Sequence, residues 1–364
     1  MMDIGQSNEV GDIMEYNIDI LVAGCNTTCM HCYVNGGKAP IMDLDDFYIC
    51  MNKLGPVFGR LKENIGFTLD NEIFNHPNAV EILECVEKTY KNNYFHHGST
   101  TGIAFLNHPK QQELFHVLKQ NNWNTVSFAI HGTHETHNQI VNSDIGLESI
   151  IKACKLFKEN DFEVWISLMV TKKLANELEE LSVLLEQIEF DNILPVIPDY
   201  FPTARLNKYQ NIRCNKEEYE QIIEFLVRKQ VDVSDIKNAI EMFHEEAIIQ
   251  NLNVDFVKTE LTSKNTAFFH IDQKLDFYLG NTGSALKYFG NIKDLSSDEI
   301  YHCIISAEDN FFETSSIHYD DIILAVLNNE LKRSKENYVY PTDIAGIIAM
   351  MNNLKLIRNQ SKLV

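Results

Sequence analysis

Short apolar runs alternate with stretches of helical spacing through the first part of the chain. Alternating or continuous apolar residues predict strands at 17–23, 65–69, 103–106, 124–130, 162–170 and 193–197. Between them, apolar residues recur at helical spacing over 43–54, 78–90, 110–120, 146–160 and 174–188. Strands that alternate with helices form parallel βαβ units. The pattern therefore predicts an α/β fold, a partial (β/α)6 TIM-like barrel rather than a closed eight-fold one.

The pattern changes in the last part of the chain. Residues 214–250 are charged and helical in period, and residues 266–281 alternate like a hairpin with a turn at 272–274. We therefore predict four parts: an N-terminal tail (1–16), a core partial barrel (17–210), a helical bridge (211–260) and a smaller α+β C-terminal extension (261–364).

Composition narrows the classes of partner. The 364 residues carry a formal charge of −21, from 31 basic and 52 acidic side chains. This acidity argues against a nucleic-acid partner, because phosphate binding relies on basic surface. The polar N-terminus has no apolar signal core, and no apolar stretch is long enough to span a membrane. We expect no membrane association and a cytoplasmic location.

Three of the eight cysteines, Cys25, Cys29 and Cys32, form a CxxxCxxC motif directly after the first predicted strand. A dense group of thiolates selects zinc, copper(I) or an iron–sulfur cluster. A structural zinc site commonly uses two pairs of ligands, and the sequence offers no second CxxC pair. Three thiolates on one loop fit a 4Fe–4S cluster better, with one iron left open. A zinc loop or three ordinary buried cysteines are the alternatives.

CxxxCxxC after an apolar strand resembles the cluster loop of the radical S-adenosylmethionine (radical SAM) superfamily. The resemblance implies one 4Fe–4S cluster held by Cys25, Cys29 and Cys32, with S-adenosylmethionine bound to the open iron. It also implies a one-electron cleavage that yields a 5′-deoxyadenosyl radical, and a low-potential electron donor such as flavodoxin or ferredoxin. An oxygen-sensitive cluster agrees with a reducing cytoplasm.

Further positions carry the resemblance along the core. The family's Gly-Gly-Glu-Pro motif has its counterpart in Asp70-Asn-Glu-Ile73, which implies that Glu72 lies at the amino end of S-adenosylmethionine; the alternative is an acid that caps a loop. The run Ser127-Phe-Ala-Ile-His131 resembles the family's fourth-strand end. It implies cofactor contacts by Ser127 and His131. Similar positions imply contacts by Ser167 and Ile197, and a buried serine hydrogen-bonded only to the backbone is the alternative for Ser167. Arg205 could hold a carboxylate, with a surface salt bridge as the alternative.

The C-terminal hairpin and the segment Gly290-Asn-Ile292 resemble the SPASM or twitch extension of many radical SAM enzymes. Such extensions hold auxiliary clusters on several cysteines, but residues 251–364 contain only Cys303. We therefore predict a degenerate extension without an auxiliary cluster. Cys214 and Cys303 are candidate hydrogen donors to a substrate radical, and a purely structural role is the alternative for each.

The predicted function is that of a radical SAM enzyme that abstracts hydrogen from a natural-product precursor, with a ribosomal peptide slightly favoured. A dehydrogenase or epimerase acting on a small aminocyclitol, sugar or nucleoside is one alternative. A zinc-binding or degenerate, non-enzymatic barrel protein is another, of a different class.

Overall fold

Nine strands form the framework in the described part of the chain. The computed structural model describes residues 15–32, 36–37, 39–90, 95–96, 100–198, 210–256, 266–280, 287–307 and 319–361. The strands are β1 (Glu15–Leu21), β2 (Ile65–Asp70), β3 (Phe95–His96), β4 (Thr125–Ile130), β5 (Glu163–Met169), β6 (Asn192–Val196), β7 (Thr266–Ile271), β8 (Asp276–Leu279) and β9 (Lys287–Asn291).

The first six strands run parallel to their neighbours. One sheet has the order β3-β2-β1-β7-β8-β9 and the other the order β4-β5-β6. A parallel bridge between Thr100 and Phe128 links the two sheets beyond β3. Successive parallel strands joined by helices confirm the predicted partial α/β barrel.

Successive side chains of a strand point to opposite sides of the sheet. Each strand therefore has an apolar outer face and a more polar inner face. On β1, Ile18 and Ile20 are fully buried, and they belong to the main hydrophobic cluster with Phe47 of the first helix. The alternate positions of the strands face the barrel interior, which we call the lumen. Inward residues such as Asn17, Thr68 and Ser127 have half-buried side chains.

Helices cover the outer face. In the core they are α1 (Leu44–Leu61), α2 (Ala79–Thr89), α3 (Ile103–Leu106), α4 (Gln111–Gln120), α5 (His134–Val141), α6 (Gly146–Glu159), α7 (Lys172–Ala175) and α8 (Leu178–Leu185). They are followed by α9 (Lys216–Arg228), α10 (Ser234–Met242), α11 (Glu245–Asn251), α12 (Ser297–Ile305), α13 (Tyr319–Leu327) and α14 (Asp343–Ser361). No helix within the described ranges is long and apolar enough to cross a membrane.

Two element predictions were wrong. Residues 103–106 form the helix α3 and not a strand, because they follow Gly102 at a φ of +73° and bury Ala104 and Phe105 within one helical turn. The helix predicted over 174–188 is interrupted between α7 and α8. There the Glu177 carboxylate accepts hydrogen bonds from the Thr133 amide and hydroxyl, both at 2.9 Å, and so ties this turn to the start of α5.

The C-terminal hairpin extends the core sheet. β7 pairs in parallel with β1 and antiparallel with β8, so the strand that leads into the cysteine motif lies between β2 and β7. A second hydrophobic cluster joins α11, α13 and α14. Buried Arg213 connects this region to the barrel, since it donates to the Pro198 carbonyl at 2.7 Å and lies over the Tyr340 ring.

Candidate active site

The cysteine loop begins where β1 ends, at the carboxyl edge of the sheet. The amide of Cys25 donates to the carbonyl of Gly37 at 2.8 Å, which closes the loop on itself. A Cβ on Gly24 would lie 2.2 Å from that same carbonyl oxygen. The two backbone segments therefore approach so closely that only glycine fits at position 24.

Two of the thiols flank one glycine. The amide of Gly36 donates to the Cys32 sulfur at 2.9 Å. A Cβ placed on Gly36 would lie 3.1 Å from the Cys32 sulfur and 3.2 Å from the Cys25 sulfur. The third sulfur, that of Cys29, lies 3.2 Å from the Thr27 hydroxyl. Gly36 thus leaves an open cradle beside two sulfurs and lines it with a backbone N–H.

The loops after three strands meet around these thiols. Met30 donates its amide to the Ile140 carbonyl of α5 at 2.8 Å, and α5 follows β4. From the loop after β2, the Asn75 amide group donates to the Gly24 carbonyl at 2.7 Å, and Asn71 lies 3.7 Å from the Cys25 sulfur. The motif is therefore held from both sides, at the end of the barrel where reactive groups gather in α/β barrels.

The donor set fits an iron–sulfur cluster. Burial, the Glu72 carboxylate and the two neighbouring thiols raise the pKa of the Cys25 thiol, so the thiolates need a cationic group to balance their charge. In a cluster each thiolate binds a different iron, and N–H donors to sulfur tune its potential. The Cys32 and Cys25 sulfurs both lie beside the space at Gly36, and the Gly36 N–H donates to the Cys32 sulfur. In the described ranges no three His, Cys, Asp or Glu side chains, the cysteine loop included, converge on a single ion position. A cluster does not need this convergence, because each thiolate binds a different iron.

Glu72 is buried and hydrogen-bonded to the segment that follows β3. Its carboxylate accepts from the Thr100 hydroxyl at 2.9 Å, from the Thr101 amide at 2.9 Å and from the Thr101 hydroxyl at 3.0 Å. Burial raises its pKa, and these hydrogen bonds oppose the rise. Through these hydrogen bonds the Glu72 carboxylate joins the loop after β2 to the segment after β3. A contact between Glu72 and S-adenosylmethionine remains a prediction.

Replacing Glu72 with Ala is expected to lower the free energy of unfolding by about 2–4 kcal/mol, because buried donors on Thr100 and Thr101 lose their acceptor. Urea unfolding of the reconstituted protein measures this loss, and the S-adenosylmethionine dissociation constant is measured in parallel. Thr101→Val removes only one donor, so we expect a smaller loss, near 1 kcal/mol. If Glu72→Ala left the free energy of unfolding unchanged but bound S-adenosylmethionine much more weakly, the structural role of Glu72 would be contradicted.

Ser127 and Ser167 face the lumen side by side. They lie on paired strands β4 and β5, and their hydroxyl oxygens are 2.7 Å apart. The structure therefore brings together two residues that the sequence placed separately. Ile197 is buried directly after β6, at the carboxyl end of the strands, where the cysteine loop also lies. Arg205 lies outside the described residues.

His131 is the centre of a buried group of three imidazoles. Its ring lies 4.3 Å from that of His31 and 5.4 Å from that of His137. Burial lowers the pKa of His31 to about 4, and burial with His31 as neighbour lowers that of His137 to about 3, so both rings are neutral at pH 7. The Nδ1 of His131 is buried without a hydrogen-bond partner in the part of the chain that the structure describes. His137 is the fourth residue of α5 and is 1% exposed.

The family comparison agrees with this geometry. Residues 20–185 match the family model of the Radical SAM superfamily. The chain contains a radical SAM domain. This domain begins within β1, includes the cysteine loop and ends at α8. This match supports an enzyme that uses radical chemistry, and the matched superfamily uses a 4Fe–4S cluster and S-adenosylmethionine.

Solved structures share the fold beyond the radical SAM domain. A structure of anSMEcpe with bound AdoMet and the Cp18Cys peptide is 14% identical, with 95% of this chain and 99% of that chain covered and a TM-score of 0.50. Streptococcus suis SuiB bound to S-adenosylmethionine is 12% identical, with 85% and 74% covered and a TM-score of 0.50. At this identity the likeness shows the fold alone. No curated protein matches the chain.

The two candidate hydrogen donors lie outside the radical SAM domain. Cys214 is fully buried in the main hydrophobic cluster just before α9, and burial raises the pKa of its thiol. Cys303 is half-buried on α12, which packs against α1 on the outer side of the sheet. The sheet therefore separates Cys303 from the lumen, and neither cysteine lies in the cysteine loop or on an inward strand position.

Proposed function

We propose that this protein cleaves S-adenosylmethionine reductively and abstracts a hydrogen atom from a peptide substrate held in the lumen. The observation that carries the proposal is the cysteine loop itself. Three thiols stand at the carboxyl end of β1, with the open cradle at Gly36 beside two of them, and the lumen next to them is lined by half-buried polar side chains.

In this proposal Cys25, Cys29 and Cys32 hold the cluster. When bound, the cluster and S-adenosylmethionine supply an electron and a carbon-centred radical able to take hydrogen from an unactivated carbon. Gly36 leaves the space and donates its amide to the Cys32 sulfur at 2.9 Å. The bonds from α5 and from Asn75 keep the loop in place, so the thiolates need not reorganise on loading.

The lumen then positions the substrate and the cofactor. The paired hydroxyls of Ser127 and Ser167 face it and offer both a donor and an acceptor. His131 follows β4 directly, and its buried Nδ1 has no hydrogen-bond partner among the described residues. These neutral groups can hold uncharged polar parts of a ligand without adding charge next to the thiolates.

A peptide is favoured over a small metabolite for two reasons. The C-terminal region extends the barrel sheet by three strands, β7 to β9, and so widens the surface beside the lumen. The same overall fold was solved with a bound peptide in anSMEcpe. We further propose that residues 211–260 and 261–364 act as the bridge and the substrate-side extension, that flavodoxin or ferredoxin supplies the electron, and that the enzyme works in the cytoplasm.

The test is anaerobic reconstitution with iron and sulfide, reduction with dithionite, and quantification of 5′-deoxyadenosine. Extract of the source organism, grown in deuterated medium, is separated into a peptide fraction and a small-metabolite fraction. We expect the peptide fraction to raise 5′-deoxyadenosine formation at least about tenfold and to transfer deuterium into it, and we expect protease treatment to remove both effects.

The other outcomes decide against the proposal. Stimulation by the metabolite fraction, resistant to protease, would overturn the peptide substrate in favour of an aminocyclitol, sugar or nucleoside. A colourless protein that binds zinc and forms no 5′-deoxyadenosine would overturn the enzymatic function altogether.

A further inference from the structure

Asn71, the first residue after β2, has a backbone conformation that few residue types adopt. Its φ is +66°, in the left-handed region that favours glycine and asparagine. Its backbone amide donates to the Asp70 carboxylate at 2.8 Å, which holds the turn in this conformation. Glycine would fit this backbone equally well, so the backbone alone does not require the amide side chain of Asn71.

The side chain of Asn71 reaches the cysteine loop. Its Oδ1 lies 3.7 Å from the Cys25 sulfur. A Cβ placed on Gly36 would lie 3.3 Å from the same Oδ1 and 3.2 Å from the Cys25 sulfur. The Asn71 amide group therefore lines the cradle together with the sulfurs. Among the described residues, Cys25 is the hydrogen-bond partner found for this side chain.

Each of the three sulfurs has a polar group of the protein beside it. The first two groups belong to the cysteine loop, and the third comes from the loop after β2. The pairs are the Gly36 amide with Cys32 at 2.9 Å, the Thr27 hydroxyl with Cys29 at 3.2 Å, and the Asn71 side chain with Cys25 at 3.7 Å. Hydrogen bonds to its sulfurs are among the factors that set the reduction potential of an iron–sulfur cluster.

The state of the Cys25 sulfur decides which end of the Asn71 amide it can bind. With its proton, the thiol donates to Oδ1, and this is the arrangement in the structure. A metal-bound cysteine is a thiolate and only accepts hydrogen bonds. An asparagine side chain carries an acceptor oxygen and a donor NH2 group, and these exchange places when the amide turns by 180°. Asn71 therefore suits both states, whereas glycine offers neither group and aspartate offers only acceptors.

We propose that Asn71 is a positioning residue for the cluster: in the loaded protein its side-chain NH2 group donates to the Cys25 thiolate and raises the reduction potential. A reduced cluster carries one more negative charge than an oxidised one, so a donor to its ligand stabilises the reduced form more strongly. This inference rests on the proposed function, because it takes Cys25 as a cluster ligand. It assigns to Asn71 the role of easing the entry of the electron.

The test compares the reconstituted wild type with Asn71→Gly, which removes the amide group and tolerates the positive φ. The control is Asn122→Gly. Asn122 is an exposed asparagine with a φ of +56°, and it lies between α4 and β4 at the amino end of the strands. An anaerobic redox titration, followed by the electron paramagnetic resonance signal of the reduced cluster, gives the midpoint potential of each protein.

We expect Asn122→Gly to have the potential of the wild type and Asn71→Gly to have a lower one. At the wild-type midpoint, the ratio of reduced to oxidised cluster in Asn71→Gly should fall about three- to tenfold, which corresponds to one hydrogen bond. The iron content should stay the same in all three proteins. A merely structural role of Asn71 would not move the potential of a fully loaded cluster.

Asn71→Asp is a second variant that keeps the shape of the side chain. It has no donor and places a negative charge beside the thiolate, so its potential should fall further than that of Asn71→Gly. A wild-type potential in either loaded variant would overturn the inference. Loss of the cluster from both variants would overturn it as well, because a hydrogen bond to one ligand adjusts the potential but does not hold the cluster.

The two proposals fail separately, because the same preparations are assayed for 5′-deoxyadenosine. A wild type that forms 5′-deoxyadenosine with a potential independent of Asn71 overturns the inference and leaves the radical function in place. A potential that depends on Asn71, without any 5′-deoxyadenosine, supports the inference and overturns the proposed function. A wild type that binds no cluster overturns both.

Discussion

Replacing Cys29 with Ala is expected to abolish 5′-deoxyadenosine formation, by a factor of at least about 10³, and to remove most of the bound iron. The three thiolates of the loop are the proposed protein ligands, and thiolates are what holds an iron–sulfur cluster. Loss of one ligand leaves two, too few to retain a cluster with one open iron. Iron and sulfide content and the visible absorbance of the reconstituted protein are measured together with 5′-deoxyadenosine.

Cys85→Ala is the matched control. Cys85 is another half-buried cysteine, on the outer helix α2, where its sulfur lies 3.9 Å from the Thr89 hydroxyl and its side chain packs against the main hydrophobic cluster. We expect this variant to bind iron and form 5′-deoxyadenosine like the wild type. A Cys29→Ala protein with full iron content and wild-type cleavage would refute the assignment of the ligands.

Gly36→Val should prevent cluster loading without unfolding the protein. A Cβ at position 36 would already lie 3.1 Å from the Cys32 sulfur and 3.2 Å from the Cys25 sulfur, and the two methyl groups of valine extend further into the cradle. Gly36 lies in the cysteine loop and is not part of the main hydrophobic cluster, so the substitution leaves the core of the barrel unchanged. We therefore expect iron content and 5′-deoxyadenosine formation to fall by at least about tenfold, with the far-ultraviolet circular dichroism unchanged.

The control for this substitution is Gly59→Ala on α1. A Cβ at Gly59 would have no heavy atom within 4 Å, and Ala is favoured over Gly in a helix by about 1 kcal/mol. The variant should load the cluster normally and unfold at a slightly higher temperature. If Gly36→Val loaded as much iron as Gly59→Ala, the space beside the sulfurs could not be the binding cradle.

Local sequence patterns predicted most of the core. In β1, β4 and β5 apolar and polar residues alternate because one face of each strand is apolar and the other more polar. This difference is visible in the sequence as a repeat of two residues. The cysteine motif similarly specifies its chemistry through residue type and spacing alone. Helix α1 was predicted only as far as Leu54, because Gly55 and Pro56 suggest a break. It continues to Leu61, since Val57 and Phe58 are buried against the core and override the local preference.

What the sequence could not predict depends on contacts between distant residues. Asn71 reaches the Cys25 sulfur only because the loops after β1 and β2 meet, and its residue type carries no signal for that position. Four apolar residues at 103–106 fit a strand or a helical turn equally well. The hairpin of β7 and β8 was predicted from its alternating residues. The pairing of β7 with β1 could not be predicted, because neither strand's sequence indicates its partner. That Asp19 and His270 lie opposite each other follows from this pairing and was missed with it.

The position of β1 between β2 and β7 also has a consequence for biosynthesis. The strand that leads into the cysteine loop gains its second neighbour only after Ile271 has left the ribosome, because β7 ends at that residue. Contacts this distant in sequence form late during folding. For most of its synthesis, a nascent chain therefore carries the three thiols on a strand that lacks one of its two neighbours. We expect iron and sulfide to be inserted after translation is complete.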